Sequence, residues 1–77
     1  MSTGYDYSDT WRRQTRARMG RAGWSVRALA REARVPLSTL KRTIRRGSVS
    51  LEVAIPVGMA LERYELELAR MAAEARA

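Results

Sequence analysis

Leu37, Ser38, Lys41, Arg42 and Arg45 recur at spacings of three and four, so a helix carries all of them on one face. The chemistry open to that set is non-covalent. Two guanidinium groups, an ammonium, a small hydroxyl and one apolar side chain suit base edges and phosphates in a major groove. Bond-making chemistry has little to work with. The chain contains no histidine and no cysteine, which removes the usual general base, the commonest metal ligand and any thiolate. Ser2, Ser8, Ser25, Ser38, Ser48 and Ser50 therefore lack a histidine to activate them, and Lys41 is the only lysine. Glu62, Glu65, Glu67 and Glu74 fall on one C-terminal helix with no Asp or His to complete a metal site. They read as solvated charges with Arg63 and Arg70 as helical neighbours. No glycine-rich phosphate loop follows a strand, and no strand is expected. The sequence thus predicts no enzyme, no metal, no cofactor and no small-molecule ligand.

The basic face needs elements to hold it outward. Ser25 is a good N-cap, because its hydroxyl can accept from an orphan N–H of the first turn. Trp24 and Leu29 flank it at the spacing of a hydrophobic staple. Val26, Leu29, Ala30 and Ala33 then recur with helical period. At Arg34-Val35-Pro36 the pattern breaks, since the proline ring disfavours the αR region at Val35. Proline is tolerated at the start of a helix, so a second helix is predicted over residues 36–46, with Leu40 and Ile44 inward and Gly47 stopping it. Two short helices joined so tightly must cross steeply, as in a helix-turn-helix. Ala30, being small, lets them approach.

Over residues 10–62 the chain resembles the phage Cro and phage-repressor family of helix-turn-helix proteins. The Gly23-Trp24-Ser25 lead-in, Ala30 in the first helix, Val35 after the turn, and Leu40 and Ile44 carry the resemblance. One position departs: Arg34 stands where that family usually has glycine, so either Arg34 adopts αL at some cost or the turn differs. The resemblance implies that the second helix docks in the major groove and that its N-terminal half, Leu37, Ser38, Lys41 and Arg42, contacts bases. Arg42 and Lys41 are candidates for guanine O6 and N7, Ser38 for a base or a phosphate, and Leu37 for a thymine methyl. Arg45 and Arg46 suit the backbone. In that fold the N-terminus before Val26 points at a phosphate, which makes Arg27 a backbone contact and Ser25 either a phosphate contact or a plain cap. A two-fold homodimer of such a chain would bind a pseudo-palindromic double-stranded DNA operator, and occupying a promoter in this way would make it a repressor of transcription.

Charge agrees with this placement. The 77 residues carry 15 basic and 8 acidic groups, a net of +7. Twelve of the basic residues lie within residues 12–46 beside a single acid, Glu32, and both flanks are mildly acidic. A polyanion-facing half and a separate role for the C-terminus follow. Arg12, Arg13, Arg16 and Arg21 in the preceding helix are either a solvated face or phosphate contacts beside the groove. Two other uses of such a charged domain stay open. One is an interaction protein, an antitoxin or a phage inhibitor of a host factor, with mainly non-specific DNA affinity. The other is an RNA-binding module, although Trp11 and Trp24 look like core rather than stacking platforms.

The remaining elements follow in order. Residues 1–8 are expected to be a mobile arm, with Ser8 or Asp9 capping a first helix that runs to Ala22 and ends at Gly23. Trp11, Thr15, Met19 and Ala22 form its inner side, interrupted by Arg18. The helix-turn-helix domain is predicted over residues 9–55. After a short connection Ser50 can cap a further helix, and Pro56 is expected to divide a short turn from a longer helix over residues 56–77. There Val57, Leu61, Tyr64, Leu68, Met71 and Ala75 are spaced 4, 3, 4, 3, 4, an a/d seam. Val53, Ala54 and Ala60 are free to pack on the motif. Leu61, Tyr64, Leu68, Met71 and Ala75 are therefore the predicted dimer interface. No apolar run approaches the ~20 residues of a membrane span and no signal peptide is recognisable, so a cytoplasmic, nucleoid-associated protein is expected. The fold class is all-α, four to five helices in one small domain with a C-terminal dimerisation helix.

Overall fold

The computed structural model describes residues 7–76. Four helices follow one another, α1 (Tyr7–Ala22), α2 (Val26–Ala33), α3 (Leu37–Arg45) and α4 (Leu51–Arg76). No strand occurs among the described residues. The all-α expectation holds. No described helix is long and apolar enough to cross a membrane.

Helix α1 starts earlier than its sequence suggests. Tyr7 and Ser8 belong to the folded domain, not to an arm, and neither Ser8 nor Asp9 is a cap. The cause is the connection before α4. Val49 is buried there, and its backbone groups need partners away from water. Ser8, 1% exposed, accepts from the Val49 N–H at 3.0 Å, and the Tyr7 hydroxyl donates to the Val49 carbonyl at 2.8 Å. The rest of the expected arm, residues 1–6, lies outside the described residues.

Helices α1 and α2 end in the same way. Gly23 has φ 71°, Trp24 N–H donates to the Met19 carbonyl at 3.0 Å and Gly23 N–H to Gly20 at 3.2 Å. This pairing is a Schellman motif, which places its penultimate residue in αL. Arg34 repeats it without glycine. At φ 59° and ψ 42° its N–H meets the Arg31 carbonyl, while Val35 N–H reaches Ala30. The turn keeps its shape, and Arg34 bears the cost of a Cβ in αL. Ser25 caps α2 as expected, its hydroxyl accepting from Ala28 N–H at 3.1 Å. Pro36 precedes α3 as N-cap rather than forming its first residue, so α3 is one residue shorter at each end than expected.

Helix α4 corrects the expected break at Pro56. It runs unbroken from Leu51 to Arg76 with the proline inside. Val53 and Val57 bracket Pro56 and are both buried in one core. That anchorage on either side offsets the hydrogen bond the proline removes. The boundary between residues 55 and 56 therefore disappears, because α4 supplies Val53, Val57, Ala60 and Leu61 to the same cluster as Leu29, Ala30, Ala33, Leu40 and Ile44. Leu29, Leu40, Leu61 and Val57 are fully buried at its centre.

Candidate nucleic-acid interface

Helix α3 divides its residues as the spacing requires. Leu40, Thr43 and Ile44 are buried, whereas Ser38, Lys41, Arg42 and Arg45 are exposed. Ser38, Lys41, Arg42, Arg45 and Arg46 line an open groove of about 380 Å³. Leu37 differs from its neighbours. It is half-buried and packs against the core, and its remaining surface lines a second depression with Arg27, Arg31, Arg34 and Pro36. Thus only part of Leu37 is free to meet a base.

The far end of α3 is held by α1. A helix leaves its last carbonyls without partners, and here arginines supply them. Arg12 Nη1 donates to the carbonyls of Thr43 at 3.2 Å and Gly47 at 2.7 Å, and Arg16 Nη2 donates to Ile44 at 2.9 Å. Cations also suit the negative end of the helix dipole. Arg12, whose side chain is 13% exposed, makes an ion pair with Asp9 as well. Arg12 and Arg16 thus have partners within the fold, and both also border the open depression beside α3. Arg13 is exposed and lines a depression of about 410 Å³ with Asp9, Arg12, Arg16 and Arg45. Arg45 borders this depression and the α3 groove alike, so the basic surface is continuous from α1 to α3.

Arg27, Arg31 and Arg34 form the other edge of the basic surface, along α2 and beside the start of α3. Ser25 is engaged as a cap. The turn arginine, Arg34, joins this edge through its αL conformation, a role its sequence position alone did not suggest.

Two further arginines act in ways the sequence left unread. Arg18 interrupts the inner side of α1 because it pairs with Glu65 of α4 through two hydrogen bonds of 2.8 Å. Those bonds hold the Glu65 carboxyl below its usual range and raise the Arg18 guanidinium above its own. Arg63 donates to the Glu32 carbonyl at 3.3 Å, near the end of α2. Arg70 does pair with Glu67 and with Glu74 along α4, as the spacing implied. Among the described residues no cluster of metal-ligating side chains occurs.

The expected dimer seam is only partly available. Leu61 is fully buried in the domain's own core. Tyr64 packs on Trp24, ring centroids 4.9 Å apart, and its hydroxyl donates to the Ala22 carbonyl at 3.4 Å. Leu61 is corrected, since the core leaves none of it to face a second subunit; Tyr64 is half-buried against Trp24 and keeps part of its surface free. Leu68, Met71 and Ala75 remain exposed on the last turns of α4. Comparison with family models, with curated proteins and with solved structures finds no match for this chain.

Proposed function

We infer that the chain is a sequence-specific double-stranded DNA-binding regulator, a Cro-like repressor that reads a pseudo-palindromic operator through the major groove as a homodimer. One observation carries this reading. The exposed face of α3 presents Ser38, Lys41, Arg42 and Arg45 around one groove, while its opposite face is locked into the core. Arginine and lysine at that position match guanine O6 and N7, and Ser38 matches either a base or a phosphate. Arg13, Arg27, Arg45 and Arg46 surround the groove as phosphate ligands. They release counterions, so affinity falls steeply with salt. Two copies related by a two-fold axis span half-sites roughly 34 Å apart, or a multiple of that. Occupying a promoter in this way blocks transcription, and the work is done in the cytoplasm on the nucleoid. No catalysis, metal or cofactor enters the mechanism.

The test is selection of bound duplexes from a random pool at physiological salt. The reading expects one enriched motif with inverted symmetry. Enrichment of no motif, with binding that varies only with salt, favours an interaction protein that uses the same fold.

A further inference from the structure

Helix α4 is apolar on two sides. One side, Val53, Val57, Ala60 and Leu61, is buried in the core. On the other, Leu51, Ile55, Met59 and Leu66 fall within an arc of about 100° pointing away from it. These four are 64%, 54%, 53% and 64% exposed. Ala69 and Ala73 extend the arc, and Glu62 is its only charge over residues 51–73. An exposed apolar face of this length marks an interaction surface.

Gly58 lies in the same arc and gives an independent sign. Glycine within a helix costs about 1 kcal/mol against alanine. Nothing among the described residues requires it here: its φ is not positive, and a Cβ would meet nothing within 4 Å. A second backbone approaching α4 at this point would.

We propose that the outer face of α4, through Leu51, Ile55, Met59 and Leu66, pairs antiparallel with the same face of a second copy of this chain. Charge favours that occupant. Glu52, Arg63 and Arg70 follow one edge of the face. With the two-fold axis near residue 61, Glu52 comes opposite Arg70 of the partner subunit and Ile55 comes beside the partner's Leu66. Every residue of 66–76 is exposed, and in this arrangement each projecting end lies on the anchored start of the other α4. Covering the face on both copies removes on the order of 1,000 Å² of surface, the lower bound for a specific interface. Leu68, Met71 and Ala75 occupy only the projecting end and offer less. The pairing rests on the dimeric part of the proposed function and not on its DNA part.

The test is sedimentation of the full chain without DNA, with circular dichroism to verify folding. Wild type should be a dimer. Ile55→Glu with Met59→Glu should raise the dissociation constant by roughly 100-fold or more, as for two central contacts, with helicity retained. Leu68→Glu with Met71→Glu should change it far less. Gly58→Gln should raise the melting temperature of the monomer while weakening association, which separates a blocked approach from a failure to fold. The chain has no cysteine, so a mixture of Glu52→Cys and Arg70→Cys should form a disulfide faster than either alone. A monomeric wild type, greater sensitivity at Leu68 and Met71, or faster linkage of Glu52→Cys to itself overturns the pairing. Each of those results leaves base readout by one domain standing. A dimer that lacks DNA specificity overturns the DNA reading alone.

Discussion

Arg16 Nη2 donates to the main-chain carbonyl of Ile44 at 2.9 Å. This bond fastens α1 to the last turn of α3, the helix that presents the basic face. Arg12 does the same at Thr43 and Gly47, so the two arginines position α3. Arg12→Ala leaves carbonyls unpaired and should cost about 2 kcal/mol, which lowers the melting temperature by about 10 °C in a domain this small. Arg13→Ala should change stability by less than about 0.5 kcal/mol. Instead it should reduce the slope of log affinity against log salt by about 0.9. Thermal unfolding and a salt titration separate the two roles.

Arg34 sits in αL at φ 59° inside a Schellman turn. Glycine carries no Cβ penalty there. Arg34→Gly should therefore stabilise the fold by about 1 kcal/mol. It should also weaken all DNA sequences alike, since Arg34 lies beside Arg27 and Arg31 at the edge of the basic surface. Urea unfolding measures the first effect and binding to random duplex the second.

Ser8 Oγ accepts from the Val49 N–H in a buried site. Ser8→Ala leaves that amide without its side-chain partner and should cost about 1–3 kcal/mol. A loss within experimental error would return residues 7–8 to the status of an arm.

The Arg18 pair gives a pH dependence of definite sign. Hydrogen bonds from Arg18 hold Glu65 below its ordinary value. A carboxyl depressed by folding stabilises above its unfolded value, about 4.3, and that contribution is lost as pH falls through the folded value. Glu65 is 42% exposed, so the gain is at most about 1 kcal/mol. In urea unfolding, wild type should exceed Glu65→Gln by this amount at pH 7 and converge with it in acid. A constant difference down to acid pH contradicts the pair.

Local signals made the helix-turn-helix legible. The Ser25 cap, the break before Pro36 and the inward set Leu29, Ala30, Leu40 and Ile44 are short-range features of sequence, and the structure repeats them. The exposed face of α3 was legible for the same reason, since helical spacing alone separates Lys41 and Arg42 from Leu40 and Ile44. What depended on distant residues was not. Nothing near Tyr7 and Ser8 announces Val49, and nothing near Arg12 or Arg16 announces the end of α3. Arginine is ambiguous by nature, because one guanidinium suits a phosphate or a helix carbonyl equally. The seam on α4 misled through its period. Val57, Leu61 and Tyr64 continue the spacing of Leu68 and Met71, yet the domain's own core covers the first two and Trp24 part of the third. Pro56 misled through a local rule that the anchorage of Val53 and Val57 overrides.

If α3 reads bases, Arg42→Ala is the substitution that shows it. The measurement is affinity for a duplex selected by the wild-type chain and for random duplex of equal length, both at physiological salt. Arg42→Ala should lose roughly 10- to 100-fold on the selected duplex, the worth of one bidentate base contact, and much less on the random one, while Arg13→Ala weakens both equally. Equal losses on the two duplexes for Arg42→Ala would contradict base readout by this helix.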